Sequence, residues 1–223
     1  TPLASGATLT LGQTRLNIVD RDDIALPVRV TRANRADGGD IDASILFNGE
    51  IYNWPELRAE LEDCGWRFAT DTDTEVALVA YLEWGSDCLR RFNGMFAFAI
   101  WDNKTFFCAR DRMGQKPLFY RCAGNRFEVA SEIKAWSDLE FVGHELFDLF
   151  EFCLDEHTLY RRVLQLRPGH FLTFDPARGA LTTTSYWDIP QQVEPRLSDA
   201  QEAVSQFIDI LSDSVRLRMR ADV

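Results

Sequence analysis

Residues 94–101, with the sequence GMFAFAIW, limit the fold of this chain more than any other segment. A β-strand points successive side chains to opposite faces, so an apolar residue at every position means that protein covers both faces. Strands of this kind lie between two layers of other secondary structure. The segment therefore predicts a layered fold with this strand in its interior.

Further strand candidates lie on both sides of this segment. Before it, residues 7–20 alternate as two strands joined at Gly12, and residues 43–47 form another candidate. After it come TFFCARD, PLFYRC and RFEVAS, and then VLQLRPGHFLTFD, which is a strand pair around Pro168-Gly169. The candidates fall into two groups of mainly antiparallel strands.

Two helices are predicted between these groups from their start and stop signals. The first has Asn53 as its N-cap and carries Leu57 and Leu61 on one face. The second is contained in DTDTEVALVAYLEWG and closes at Gly85. Asp73 lies at or beside its N-terminus, where a carboxylate complements the helix dipole.

Two more helices are predicted towards the end of the chain. One begins near Glu132, and the other begins where Ser198 and Gln201 fit a capping box. The last helix has an apolar stripe at helical spacing, formed by Ala203, Phe207, Ile210, Leu211 and Leu217. We expect this stripe to pack on a further domain.

Helices combined with two groups of antiparallel strands predict an α+β fold in the form of a four-layer α/β/β/α sandwich. Residues 1–190 are expected to form this domain. Residues 191–223 are expected to form a linker and a helix that lead out of it.

Composition and charge exclude several classes of protein. A hydrophobic content of 46% over 223 residues is typical of a globular chain with one sizeable core. The net charge of −11 argues against a nucleic-acid partner. No apolar run approaches the ~20 residues that a membrane span needs, and no secretory leader is present, so no membrane partner is expected.

The five cysteines form no CxxC pair, which fits a reducing cytoplasm and predicts a cytoplasmic protein. Cys153 and His157 would share one face of a helix, but two ligands without partners are weak support for a metal site. No metal is therefore expected in this chain.

The stretch ILFNGEIYN, residues 45–53, permits two interpretations. Asn-Gly between β-prone runs is the strongest short-range signal for a hairpin turn. Alternatively, Asn48 and the Gly49 N–H are two hydrogen-bond donors of an oxyanion hole, with Glu50 placed to hold an ammonium group. This segment alone leaves both interpretations open.

Five motifs in register point to a known family: FNGEIYN, TDTDTEV, GMFAFAIWD, RDRMGQKPLFY and ASEIKA. Together they resemble the glutaminase domain of asparagine synthetases, which belongs to the class II glutamine amidotransferases. Upstream, GQTRLNIVD is similar to the arginine-bearing strand of that family, and downstream LRPGHFLTF and SVRLRMRADV are similar to segments that lead into the synthetase domain. The resemblance covers nearly the whole chain and implies the N-terminal-nucleophile hydrolase fold.

The resemblance also implies a site for L-glutamine. Arg15 would pair with the α-carboxylate, because a planar guanidinium suits two parallel hydrogen bonds. Glu50 and Asp73 would receive the α-ammonium. Asn48 and Gly49 would act in catalysis by stabilising the oxyanion formed at the side-chain amide. The whole expected substrate-binding set is Arg15, Ile18, Val19, Asn48, Gly49, Glu50 and Asp73.

In this family an N-terminal cysteine attacks the amide, ammonia leaves, and water hydrolyses the γ-glutamyl thioester. The ammonia then reaches a synthetase domain that uses ATP and Mg. The resemblance therefore implies L-glutamine and a synthetase domain of the same polypeptide as partners, no cofactor in this chain, and ATP and Mg in that other domain. The ammonia acceptor and the formation of a homo-oligomer stay open.

The nucleophile is the main departure from the family's pattern. The family places its Cys-Gly-Ile strand a few dozen residues before the arginine strand, whereas only fourteen residues precede Arg15. Thr1 is rejected as a substitute, because Pro2 follows it and it lies in no strand pattern.

Two explanations are compatible with this departure. The chain is either a fragment of a longer enzyme or a relative that lost its nucleophile, as in β-lactam-forming synthetases, which keep the domain as a non-catalytic scaffold. Because the glutamine-binding residues are retained together, we favour the fragment. The chain alone is then expected to be inactive as a glutaminase.

Overall fold

The computed structural model describes residues 8–13, 27–31, 34, 41–124, 126–143, 155–191 and 199–219. Within them the chain forms two antiparallel sheets that face each other, with helices on the outer face of the larger sheet. This is the α+β fold that the sequence predicts. The described residues show three of the four expected layers, namely one layer of helices and the two sheets.

The larger sheet has six strands in the order β1-β2-β3-β4-β8-β9, and every neighbouring pair is antiparallel. The predicted interior strand, β3, lies between β2 and β4, and its side chains are almost all buried. The bounds are β1 Val28–Thr31, β2 Asp42–Ile51, β3 Gly94–Trp101, β4 Phe106–Arg110, β8 His170–Asp175 and β9 Ala180–Ser185.

The smaller sheet has the order β6-β5-β7. Its strands are β5 Phe119–Ala123, β6 Arg126–Ala130 and β7 Leu164–Gln165. Ala97 and Ala99 of β3 pack against Leu118 and Tyr120 of the smaller sheet and its approach. One face of β3 is therefore directed at the second sheet.

The helices are α1 Trp54–Asp63, α2 Asp73–Trp84, α3 Cys88–Arg91 and α4 Ala200–Arg218. Helices α1 and α2 cover the other face of the larger sheet, where Phe96, Phe98 and Ile100 of β3 meet Leu61 and Val76. Every side chain of α2 from Asp73 to Ala80 is buried. Helix α2 is thus fixed against the sheet from its first turn.

The hairpin interpretation of Asn48-Gly49-Glu50 is wrong. Strand β2 continues through these residues and pairs with β3 in unbroken register from Ser44 to Ile51. The chain turns only afterwards, at Tyr52 and Asn53. A continuous ladder with a largely buried neighbour outweighs the local turn preference of Asn-Gly, because the backbone groups along that edge are then paired.

Other local predictions also differ from the structure. Of the two strands expected over residues 7–20, the described residues 8–13 form none, and residues 14–20 lie outside the described residues. The expected strand pair around Pro168-Gly169 is divided, since β7 belongs to the smaller sheet and β8 to the larger one. The helix expected near Glu132 is a single 3-10 turn over Ile133–Ala135 in the described residues. Asn53 occupies the predicted N-cap position of α1, but its side chain donates to Arg91 O and accepts from the Asn93 N–H rather than bonding to the helix.

Helix α4 confirms the predicted C-terminal helix with a different cap. Asp199 accepts a hydrogen bond from the Gln201 N–H at 2.9 Å, whereas Ser198 lies outside the described residues. Leu217 is buried, while Phe207, Ile210 and Leu211 of the apolar stripe are exposed. The described helices include none with the length and hydropathy of a membrane-spanning segment.

Candidate functional site

Asn48 and Glu50 lie on the face of the larger sheet that looks towards the smaller one. In the β2–β3 register Asn48 is opposite Ala97 and Glu50 is opposite Met95, and directly opposite residues share a face. Ala97 belongs to the cluster between the two sheets. Because alanine is small, the space in front of Asn48 stays open.

That space is a cavity of about 880 Å³ between the sheets, within the range of roughly 300–1,000 Å³ that is typical of small-molecule sites. Its lining includes Asn48, Gly49, Glu50 and Asp73. The cavity therefore brings together four of the residues that the sequence predicts for one site. Other polar residues of the lining are Gln13, Thr74, Lys116, Ser131, Glu132 and Lys134.

Gly49 is required by the close approach of β2 and β3. A Cβ added at this position would lie 2.1 Å from the Met95 carbonyl oxygen and 2.6 Å from the Phe96 Cα. The same crowding occurs at Gly94, where a Cβ would lie 2.1 Å from the Glu50 carbonyl oxygen. Gly49 also has a φ of 154°, which residues with a side chain rarely adopt.

The Gly49 N–H points towards the edge of β2 that faces away from β3. Backbone N–H groups alternate in direction along a strand. The N–H groups of Phe47 and Ile51 bond to the Gln13 side chain at 3.3 Å and to Asp73 Oδ2 at 3.0 Å, both on this edge. The pairing with β1 stops at Ile45. The Gly49 N–H thus lies between these two contacts, on the cavity wall.

Asp73 is the first residue of α2 and is buried, with 5% of its surface exposed. One carboxylate oxygen accepts the Ile51 N–H, and the other accepts the Thr74 hydroxyl at 3.3 Å. The helix N-terminus favours its negative charge. Asp73 therefore links α2 to the end of β2 and still contributes to the cavity lining.

A hydrogen-bonded loop before α2 holds Asp73 in this position. Thr72 is the N-cap and accepts from the Glu75 N–H, as in a capping box. The buried Glu75 carboxylate accepts from the Ala69 N–H, the Thr70 N–H and the Thr70 hydroxyl, at 2.9, 2.7 and 2.7 Å. These contacts give a structural reason for the TDTDTEV motif.

The motif RDRMGQKP forms a second ordered loop beside the cavity. The Asp111 carboxylate accepts from the N–H groups of Phe96, Met113, Gln115 and Lys116, at 2.9–3.2 Å. Phe96 is opposite Gly49 in the sheet. Asp111 therefore joins the strand beside Gly49 to the loop that brings Lys116 into the cavity lining.

Arg110 satisfies the carbonyl groups of the same loop. Its guanidinium donates to the backbone oxygens of Gly114, Lys116 and Leu166 at 2.7–2.8 Å. Burial lowers the pKa of Arg110, and the neighbouring Asp111 carboxylate offsets part of this effect. Asp111 thus accepts from N–H groups of the loop backbone, and Arg110 donates to its carbonyl groups.

Comparison with known proteins identifies the family. Residues 3–187 match the model of the glutamine amidotransferase domain. The chain belongs to the glutamine amidotransferase domain family. The resemblance drawn from the five motifs is confirmed.

Two curated relatives of this amidotransferase domain are named as asparagine synthetases. The chain is 34% identical over 222 residues to asparagine synthetase (glutamine-hydrolyzing) 3 of Bacillus subtilis strain 168, covering 95% of this chain and 34% of that protein. It is 37% identical over 234 residues to a putative asparagine synthetase (glutamine-hydrolyzing) of Mycobacterium tuberculosis H37Rv, covering 99% of this chain and 35% of that protein. The chain thus spans about a third of the length of these relatives.

A solved structure supports the fold. The glutamine phosphoribosylpyrophosphate amidotransferase from B. subtilis, complexed with ADP and GMP, aligns with a TM-score of 0.50 and 22% identity. The alignment covers 72% of this chain and 31% of that one. At this identity the likeness describes the fold alone.

The structure of the amidotransferase domain does not describe three residues of the predicted glutamine site. Arg15, Ile18 and Val19 lie outside the described residues, and their roles stay predictions. None of the cysteines in the described ranges lines the cavity. The four described cysteines have free thiols, and Cys153 lies outside the described residues.

Sequence reasoning missed the other six polar residues of the cavity lining, among them Gln13, Lys116 and Ser131. The signal was available for Lys116 and Ser131, because they lie in the motifs RDRMGQKPLFY and ASEIKA, which served for family resemblance only. Gln13 lies in GQTRLNIVD, a segment that likewise served for family resemblance only. Its contact with Phe47 joins positions 34 residues apart, which no local pattern predicts.

Proposed function

We propose that the cavity between the two sheets binds L-glutamine and that the complete protein hydrolyses its side-chain amide to glutamate and ammonia. One observation carries this proposal: Asn48, Gly49, Glu50 and Asp73 line a single cavity. Two hydrogen-bond donors suit an oxygen that becomes negative, and two carboxylates suit the α-ammonium of an amino acid. Arg15 is proposed to bind the α-carboxylate, with Ile18 and Val19 beside it.

In the proposed reaction, the nucleophile is an N-terminal cysteine outside these 223 residues. Its sulfur bonds to the amide carbon while its α-amine takes the thiol proton, and the carbonyl oxygen becomes an oxyanion. The α-ammonium returns the proton to nitrogen as the C–N bond breaks and ammonia leaves. Water then attacks the thioester, the C–S bond breaks, and glutamate and the free thiol are formed.

Asn48 and the Gly49 N–H are proposed to donate to the oxyanion in both steps. Losing one such donor typically slows turnover by a factor of about 10²–10³. Both donors are set on β2, a strand that is paired with β3 in unbroken register through Asn48 and Gly49. A rigid strand keeps such donors in place before the charge develops, which is the condition under which they lower the barrier most.

The ammonia is proposed to pass to a synthetase domain of the same polypeptide that requires ATP and Mg. The two asparagine synthetases described above support this, because their names state glutamine hydrolysis and this chain spans only about a third of their length. The chain itself needs no cofactor for the proposed hydrolysis. A cytoplasmic location stays a prediction from the cysteine pattern.

A second candidate is a non-catalytic scaffold within a related synthetase, such as a β-lactam-forming one. One observation favours it: no cysteine is present among the described residues of the cavity lining. In this case the cavity would keep its polar groups without turnover. The two candidates therefore differ in whether the complete protein releases ammonia.

The test uses protein produced from its complete open reading frame with its natural N-terminus. Ammonia and glutamate are measured after addition of L-glutamine, with D-glutamine as the stereochemical control. The proposal expects equal amounts of both products from L-glutamine and none from D-glutamine. A protein that is shown to begin with cysteine and yet releases no ammonia would refute the proposal and favour the scaffold.

A further inference from the structure

Ser131 lies in the cavity lining on the side formed by the smaller sheet. It directly follows β6, and the preceding Ala130 pairs with Phe119 of β5. After it, the 3-10 turn Ile133–Ala135 leads to the buried Trp136. The backbone of Ser131 is therefore held by the paired strand β6 on one side and by the buried Trp136 on the other.

The side chain of Asn48 reaches Ser131 across the gap between the sheets. Asn48 Nδ2 donates a hydrogen bond to Ser131 Oγ, with a donor–acceptor distance of 3.4 Å. The two residues are 83 positions apart in sequence; Asn48 belongs to the larger sheet, and Ser131 directly follows a strand of the smaller one. This contact therefore links the Asn48 amide to a part of the fold that lies opposite it.

The amide group of asparagine carries two N–H bonds, which diverge in the plane of the group. When Ser131 accepts one of them, the other is directed away from Ser131. The torsion that turns a terminal amide is broad and permits many orientations. A fixed acceptor on one N–H therefore determines where the second N–H points.

We propose that Ser131 is a positioning residue that orients the Asn48 amide for the oxyanion. This inference rests on the proposed glutamine hydrolysis and adds a residue from the smaller sheet to that reaction. The 3.4 Å distance fits such a role in the ligand-free state, since hydrogen bonds of this kind are often long before substrate binds and tighten in the reacting complex. Both sheets then contribute to one oxyanion site.

The decisive variants are Ser131→Ala, which removes the acceptor, and Ser131→Thr, which keeps a hydroxyl group. In the complete protein, Ser131→Ala is expected to lower kcat for glutamine hydrolysis about tenfold, less than the 10²–10³ expected for loss of a whole donor. The KM for glutamine is expected to stay within about twofold, because Ser131 acts through Asn48, whose proposed role is at the oxyanion and not at the ammonium or carboxylate of glutamine. Ser131→Thr is expected to recover most of the turnover.

A double-mutant cycle with Asn48→Ala separates positioning from a general structural role. In the Asn48→Ala background, Ser131→Ala is expected to cause no further loss of kcat, because the amide that it orients is gone. Equal losses in both backgrounds would overturn the inference, as would unchanged kcat for Ser131→Ala in an active enzyme. If the wild-type protein itself releases no ammonia, the proposed function fails first and the inference fails with it.

Discussion

At position 49 the strands β2 and β3 approach each other so closely that no side chain fits between them. A methyl group there would meet the Met95 carbonyl oxygen at 2.1 Å and the Phe96 Cα at 2.6 Å. Both contacts are with backbone, so no rotation of a side chain could relieve them. The backbone N–H of the same residue lies on the cavity wall between the Gln13 and Asp73 contacts.

Gly49→Ala is therefore expected to destabilise the protein and to stop glutamine turnover. The overlap must separate two central strands, which we expect to cost about 3 kcal/mol or more in the free energy of unfolding. Chemical denaturation measures this loss. Gly12→Ala is the matched control, since a methyl group at position 12 meets nothing within 4 Å, and an equal loss at both positions would contradict the account.

Asn48 and Asp73 are expected to affect different kinetic constants. Asn48→Ala removes a donor to the oxyanion and should lower kcat by about 10²-fold or more with little change in KM. Asp73→Asn removes a charge from the proposed ammonium site and should raise KM at least about tenfold, while an oxygen can still accept the Ile51 N–H. Steady-state ammonia release provides both constants. Interchanged effects, with Asn48 controlling KM and Asp73 controlling kcat, would contradict the assigned roles.

At the scale of an element, the start of α2 connects helix capping to the site. Glu75 is buried and accepts hydrogen bonds from Ala69, Thr70 and Asn34, and it lies one turn from the cap Thr72. The same turn presents Asp73. The stability of the capping loop and the position of a site residue therefore depend on the same set of hydrogen bonds.

Glu75→Gln is expected to lower the free energy of unfolding by about 2–3 kcal/mol, because an amide nitrogen then faces backbone N–H donors and leaves them unsatisfied. Glu62→Gln on α1 is the control. The Glu62 side chain is 50% exposed in its pair with Arg58, and exposed pairs of this kind contribute about 0–1 kcal/mol. Thermal or chemical unfolding of both variants provides the comparison, and similar losses would argue against the capping loop.

Local sequence patterns predicted the elements whose signals lie within one turn or one strand. The closing Gly85, the paired Leu57 and Leu61, and the apolar run of β3 all act locally, and the structure has α2, α1 and β3 where these signals are. The hairpin predicted from Asn48-Gly49 was wrong because the turn preference of Asn-Gly is local, while the pairing of β2 with β3 joins residues about fifty positions apart.

For the site, the sequence brought together Asn48, Gly49, Glu50 and Asp73 only through a family resemblance. Spacing alone does not show that the N-terminus of α2 meets the end of β2. The contact from Asn48 to Ser131 depends on how the sheets face each other, and the contact from Gln13 to Phe47 depends on a distant segment that lies along β2. No periodicity encodes either contact. Such contacts required the three-dimensional arrangement.

At the scale of the whole molecule, burial divides the four described cysteines into two groups. Cys88 and Cys108 are buried on opposite sides of the larger sheet, one in the helix-side cluster and one between the sheets. Burial raises the pKa of both thiols well above the usual range, which removes the reactive thiolate. Cys64 and Cys122 are exposed.

Alkylation of the native protein with iodoacetamide is expected to label Cys64 and Cys122 first. Cys88 and Cys108 should react only after denaturation, because both layers of the fold must open to expose them. Mass spectrometry of the digested protein identifies each labelled peptide. Rapid native labelling of Cys108 would mean that the two sheets do not pack as described.

The central claim is that one cavity between the sheets binds L-glutamine at the Gly49 N–H. The most direct measurement is an NMR titration of protein labelled with ¹⁵N-glycine, which contains only 13 glycines, with L-glutamine and with D-glutamine as the control. We expect the Gly49 resonance to shift as L-glutamine is added, until the site is saturated. The resonances of Gly124 and Gly179, on the loops that follow β5 and β8, are expected to stay unchanged. An unchanged Gly49 resonance, together with shifts at glycines remote from the cavity, would contradict the account.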